Sequence, residues 1–415
     1  MIVDCAEYPD RISASNERDI IAFIIGDGQI GEAEIINSAD TAKIVIYVES
    51  GTELSFISPQ IEVSGGAAVK PASGELVDFA TNNNRYIYTV SSESGVEKSW
   101  IVKVIEKVQK ATFILLPDTQ SYAQHPENRP YFISQIDWIL DNEDQIDMVL
   151  HQGDLTNRNN IEQWEFIQSG FQKLDNNVPY VLAVGNHDMG PGGRATVRNT
   201  TYFNHFFSYS TMSVLPAFGG VYPNSEDSDK LEMDNAYYLL ETGAYKWLIL
   251  TLEFGPRDEV LAWADDIARR YDDRIAIVNT HCYMYSDNTR VGPGDNWNPH
   301  NYGIAELGPV NDGEDIWDKL IKSNPNIRFV FSAHTLHDGV GKLISKNDTG
   351  KDVYQFLANY QTGVIGSENG GSGYLRRVSI DLHKDKMTVE TFSPYPGIGV
   401  HPNEEHHFEI SPLNL

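Results

Sequence analysis

VPYVLAVGNHD, residues 178–188, runs from an aliphatic segment into a glycine and then into three side chains that can bind a cation or carry a proton. An apolar run this short, closed by a glycine, reads as a buried strand whose polar residues sit on the loop at its carboxyl end. The arrangement recurs: ATFILLPD (111–118), IDMVLHQGD (146–154), YKWLILTLEF (245–254), RIAIVNTHC (274–282) and IRFVFSAH (327–334) all pass from apolar strand to polar loop. Helical spacing separates the first of them. In YFISQIDWILDN (131–142) the apolar Phe132, Ile136, Ile139 and Leu140 fall on one helix face, and IEQWEFIQSGFQKL (161–174) reads as the next helix. Strand, loop and helix repeated in this way predict an α/β layered domain with its polar residues gathered at strand carboxyl ends, where such sheets place their sites.

Upstream the pattern is different. Residues 19–106 hold short β-branched or aromatic runs, DIIAFIIG, KIVIYVES, PQIEVSG, RYIYTVSSE and SWIVKVIEK, separated by the clusters GDGQIG, VSGGAAVKPASGE and TNNN. Short strands with frequent turn signals and no helical pattern predict an all-β sandwich. The change falls at VQK (108–110), so we divide the chain into domains 1–108 and 109–415. The stretch YTVSSESGVEKSWIVKVIE (88–106) resembles the last hairpin of the immunoglobulin-like modules that precede catalytic domains in many bacterial surface proteins. That resemblance implies a spacer or binding module, with contact to a cell surface or a glycan, and export to a secreted, periplasmic or cell-surface location.

The chain has 415 residues, more than one ordinary core needs, which accords with two domains. With 41% apolar and 11% aromatic residues, and no apolar run near the roughly 18 residues of a membrane span, it reads as folded and water-soluble, without a transmembrane segment. Lys plus Arg number 31 against 59 Asp plus Glu, and the net charge of −28 repels polyanions at long range. This argues against broad nucleic-acid binding but leaves small phosphate esters open, because a bound metal inverts the field locally. Cys5 and Cys282 are too few for a disulfide scaffold. The start MIVDCAEYPD reads without a signal peptide, and Asp4 before Cys5 does not fit a lipid-attachment site.

Five strand ends carry metal-ligand chemistry: PDTQ with Asp118 and Gln120, GDLTN with Asp154, GNHD with Asn186 and His187, NTHC with His281, and SAHTLH with His334. Singly, each has a plainer reading, since Asp after a strand is commonly a turn or cap residue and a lone His a structural one. Together, at successive strand ends of one sheet, they would converge. The ordered set resembles the calcineurin-like metallophosphoesterase family over roughly residues 111–395. The resemblance implies a layered metallophosphoesterase sheet sandwich flanked by helices, and two divalent transition metals (Mn, Zn, Fe or Ni) bridged by Asp154. Asp118 and Gln120 would hold the first metal, Asn186, His281 and His334 the second, and His187 would protonate the leaving oxygen. The implied activity is hydrolysis of a phosphoester substrate, mono- or diester, by a metal-activated water. The alternative is a surface-binding protein whose phosphoesterase fold has decayed.

Three departures from the family pattern bear on this reading. Its first motif usually ends in His, where this chain has Gln120, a harder and weaker ligand. An Asp that orients the catalytic imidazole is replaced by Asn157, which can accept a hydrogen bond but not stabilise imidazolium. The last motif's histidines are two apart in the family, whereas here that position is Leu336 and the next histidine is His337. His337 is therefore expected to lie off the metals, and the first metal to be held weakly. The loop HCYMYSDNTRVGPGDNWNPHNYG (281–303) reads either as a pocket border or as a loop packed by its own aromatics. Asn359, in ANYQ, and Arg376, in SENGGSGYLRR, read as a strand-end residue and a surface arginine. RNTTYFNHFF, with Tyr202, Phe203, Phe206 and Phe207, reads as helix core.

Overall fold

The computed structural model describes residues 14–37, 42–49, 51–107, 110–224, 230–242 and 245–415; Cys5 and the start of the chain lie outside them. The chain separates into two units, Met1–Gln109 and Lys110–Leu415. The first is all-β. A five-stranded sheet runs in the order Gln29–Ile36, Ala42–Glu49, Glu97–Lys107, Arg85–Ser91, Ala68–Lys70, and Ile20–Ile24 pairs separately with Gln60–Val63. Period-two alternation decides its core: Ile44, Ile46 and Val48 from one strand meet Trp100, Val102 and Val104 from its parallel neighbour. Gln29–Ile36 begins inside the cluster GDGQIG that we read as a turn, because Gly26, Gly28 and Gly31 disguise the start of a strand whose outer face is exposed.

In the second unit two seven-stranded sheets each contain a run of parallel strands. In one, Lys110–Leu116, Met148–His151 and Tyr180–Leu182 are parallel, and Leu375–Asp381 and Lys386–Ser393 extend the sheet antiparallel. In the other, Tyr245–Leu252, Ile275–Thr280, Ile327–Ser332 and Asp352–Ala358 are parallel.

Side-chain alternation along these strands divides the apolar residues into two cores. Trp247, Ile249, Ile277, Phe329 and Phe331 join the core shared with Phe113 and Leu115 of the first sheet, and the Phe113 and Trp247 rings stand edge to face at 5.3 Å. Leu248, Leu250, Ala276, Val278 and Val330 point the other way, onto Leu261, Ala264 and Ile267 of the helix Asp258–Arg270. Phe132, Ile136 and Ile139 of the helix Arg129–Asp141, with Trp164 and Ile167 of Ile161–Phe171, are buried in the first of these cores. The result is a mixed α/β sandwich in which the parallel strands of both sheets bring their following loops to one edge. Phe203, Phe206 and Phe207 pack around Trp164, while Tyr202 stays at the surface.

Candidate metal centre

Close loop approach makes the centre, and glycine permits it. A β-carbon on Gly185 would lie 2.2 Å from the Asp154 backbone nitrogen, and one on Gly153 would lie 2.7 Å from His281 Nδ1. Any other residue would force the loops after Met148–His151 and Tyr180–Leu182 apart. Asp188 then fastens them: fully buried, it accepts the backbone N–H groups of Leu155, Thr156 and Gly185 at 3.1, 2.9 and 3.0 Å. Asp118, Asp154 and His334 all adopt left-handed backbone, with φ of 39°, 54° and 70°. Strain of this kind gathers where the surrounding structure holds a side chain in a required direction.

On one side of Asp154 lie the imidazoles. His281 Nδ1 is 2.8 Å from the Gln152 carbonyl, so that nitrogen donates and Nε2 faces inward. His334 is held the opposite way round: its Nε2 donates to the Trp297 carbonyl at 2.8 Å, leaving Nδ1 inward. Around His281 Nε2 stand Asp154 Oδ2 at 3.2 Å, Asn186 Oδ1 at 3.1 Å and His334 Nδ1 at 3.1 Å. These are four acceptor-type atoms from four loops, all in buried residues.

One proton can satisfy only part of that cluster. Burial would drive His281 toward its neutral form, but the Asp154 carboxylate pushes its pKa up to about 9. Burial and the nearby His281 bring His334 down to about 3. For Asp154 burial acts upward, yet His281 and His187 hold the carboxyl well below its usual range. Ligand atoms about 2.1 Å from one cation lie roughly 3.0–3.4 Å apart, the spacing found here, so the donor set fits a divalent metal.

The side toward Asp118 is different. Asp118 Oδ1 accepts from Gln361 Nε2 at 2.8 Å and its Oδ2 from the His334 backbone N–H at 3.2 Å. Gln120 Nε2 donates to Asp154 Oδ2 at 3.2 Å and also to Gln361 Oε1. Amide N–H groups, not imidazole lone pairs, face the two carboxylates here.

His187 is half-buried at the centre's mouth. Its backbone N–H donates to Asp154 Oδ1 at 2.8 Å, and its Nδ1 lies 2.9 Å from the backbone carbonyl of Asn157. The partner expected from sequence was the Asn157 side chain, but that amide donates to Gln124 and the main-chain oxygen orients the ring instead. His337 is exposed, hydrogen-bonded to the Tyr285 hydroxyl at 3.1 Å and set 5.1 Å from the Trp297 ring; it is outside the Asp154, His281 and His334 group.

Asn359 is turned away, its Nδ2 on the Thr335 carbonyl at 3.3 Å. Arg376 is not at the surface: it is 1% exposed, with Nη1 on the Leu357 carbonyl at 2.8 Å and Nη2 beside His406 Nδ1 at 3.0 Å. Asp188, Gln361 and Trp297 are contributors that the sequence reading missed. The first was in view as the last letter of GNHD, whereas the other two act through loop returns and a main-chain carbonyl that no spacing reveals.

A two-sheet α/β sandwich with a cation-type donor set at its strand ends defines the class. Residues 111–338 match the calcineurin-like phosphoesterase family, more than half of the chain, and the chain belongs to that family. Residues 20–104 match the SGBP N-terminal domain. The uncharacterized protein YvnB of Bacillus subtilis is 30% identical over 296 residues, which is 68% of this chain but 20% of that protein, so the chain spans about a fifth of its relative's length. Among solved structures, a purple acid phosphatase from yellow lupin seeds is 14% identical, covering 88% of this chain and 73% of its own, with a TM-score of 0.44. A 5'-nucleotidase from Candida albicans is 11% identical, covering 68% and 52%, with a TM-score of 0.34.

Proposed function

We propose that the Lys110–Leu415 unit is a metal-dependent hydrolase of phosphoester bonds, mono- or diester. The observation that carries this reading is the convergence of Asp154 Oδ2, Asn186 Oδ1 and His334 Nδ1 on His281 Nε2, with each imidazole oriented by a carbonyl behind it. Those four residues would hold the ion. A divalent transition metal there, of the Mn, Zn, Fe or Ni type, supplies a Lewis acid for a phosphoryl oxygen and lowers the pKa of a bound water.

The chain's own residues do the rest. Asp154 supplies the charge that retains the cation, and its second oxygen anchors the His187 backbone, fixing the acid relative to the metal ligands. With Nδ1–H given to the Asn157 carbonyl, His187 presents Nε2 to the leaving oxygen as general acid. Phe254 and Tyr302, 5.1 and 6.1 Å from the His334 ring, shield one side of the centre. For the smaller unit, the match to the SGBP N-terminal domain supports contact with a glycan or cell surface and an extracellular or periplasmic location.

The test is a panel of p-nitrophenyl phosphate and bis(p-nitrophenyl) phosphate offered to protein loaded in turn with Mn, Zn, Fe and Ni. Turnover of either ester, abolished by Asp154→Asn, supports the assignment. Metal-loaded protein that turns over neither leaves the decayed-fold, surface-binding reading in its place.

A further inference from the structure

We propose that this centre is built for a single metal ion, and that the amide pair of Gln120 and Gln361 takes the position of the other ion in the two-metal arrangement its family resemblance implies. The inference rests on the metal-dependent reading above. Asp118 and Asp154 are the only carboxylates among the residues that would hold that ion, and each already receives an amide N–H, Asp118 Oδ1 from Gln361 at 2.8 Å and Asp154 Oδ2, the oxygen it also offers to the imidazole side, from Gln120 at 3.2 Å. An amide nitrogen has no lone pair to give a cation, and its N–H places positive partial charge where the ion would sit.

With no ion between them, hydrogen bonding sets which way the amides face. Reversing Gln120 would set its oxygen against both Asp154 Oδ2 and Gln361 Oε1, three acceptors with no hydrogen between them. The present orientation leaves Gln120 Oε1 buried without a partner, which is the lesser cost.

Gln361 is placed, not stray. Its backbone N–H donates to Asn359 Oδ1 at 3.1 Å, and Asn359 is tied to the His334 loop through the Thr335 and Gly339 carbonyls. Leu336, where the family pattern has its second histidine, packs toward the same loop: a β-carbon on Gly363 would lie 3.2 Å from Leu336 Cδ1. Both imidazoles implied for that ion are thus absent, and an apolar contact and an amide stand in their places.

The full chain is to be dialysed against excess Mn²⁺ or Zn²⁺, each alone and together with Mg²⁺ or Ca²⁺, then freed of loose ion. Bound metal per chain is measured by inductively coupled plasma mass spectrometry, with electron paramagnetic resonance on the Mn sample. We expect one transition metal per chain and the signal of an isolated Mn²⁺, with one ion retained in both Gln361→Ala and Gln120→Ala. Two ions per chain with a spin-coupled Mn signal, or an Mg²⁺ or Ca²⁺ bound beside the transition metal, overturns the single-ion proposal while leaving the metal-dependent reading intact. No ion bound under any condition overturns both.

Discussion

On the His281 side of Asp154 the protein presents two imidazole nitrogens and an amide oxygen; on the Asp118 side, at the ends of neighbouring strands, it presents amide N–H groups. The two sides share a scaffold and a carboxylate yet differ in the sign of what they offer. Acceptors gathered with too few donors are costly when buried and favour a cation. On the Asp118 side the carboxylate oxygens already receive N–H donors, and the one acceptor left unpartnered is Gln120 Oε1. Strand-end geometry therefore brings side chains to a place, but the donor or acceptor character of each decides what it can hold.

Asp154 belongs to both sides, so its replacement should have the largest effect. Asp154→Asn is expected to abolish metal retention and to lower turnover at least about 10³-fold, read by metal analysis beside an ester assay. His281→Ala and His334→Ala, on the acceptor side, should each weaken metal affinity by more than the roughly 10–100-fold seen on losing a partner of a ligand. Retention of normal metal in either variant would dissolve the distinction between the two sides.

His187→Ala comes next. Turnover should fall by about 10²–10⁴-fold with bound metal unchanged, because its Nδ1 engages the Asn157 carbonyl and not the ligand cluster, and its Nε2 is the acid of the proposed reaction. A drop in bound metal in that variant would make His187 a ligand.

Metal uptake should also depend on pH in a defined direction. Without metal, Asp154 holds a proton on His281 up to about pH 9, and that proton must leave for the ion to bind. Apparent affinity should rise by about tenfold per pH unit as pH climbs from 6 toward 9, then level off. Calorimetric titration in buffers of different ionisation enthalpy would read the released proton, and an affinity independent of pH across that range would contradict the assignment.

The smallest effects belong to the amide side and its surroundings. Gln120→His combined with Leu336→His restores two imidazoles, and the bound metal should rise from one ion toward two per chain. His337→Ala should keep metal and most turnover, since that ring meets Tyr285 and Trp297 at the surface.

Much of this was legible in the sequence for a simple reason. Parallel strands all deliver their following residues to one edge, so apolar runs ending in Asp118, Asp154, Asn186, His281 and His334 imply convergence before any coordinate is known. What remained hidden acts through main chain or distant loops. Gln361 reaches Asp118 across 243 residues of sequence, and neither end carries a mark of the other. Asn157 works through its carbonyl and Trp297 through its own, and main-chain groups are the same for every residue. Arg376 reads as a surface cation until Thr391, the Leu357 carbonyl and His406 are seen around it in the core.

In the proposed site the cation belongs on the imidazole side of Asp154. An anomalous difference map from crystals soaked in Mn²⁺ tests it most directly. One peak per chain is expected, bounded by Asp154 Oδ2, Asn186 Oδ1, His281 Nε2 and His334 Nδ1, and none between Asp118 and Gln120. A peak confined to the Asp118 side, with the two imidazoles unligated, would contradict it.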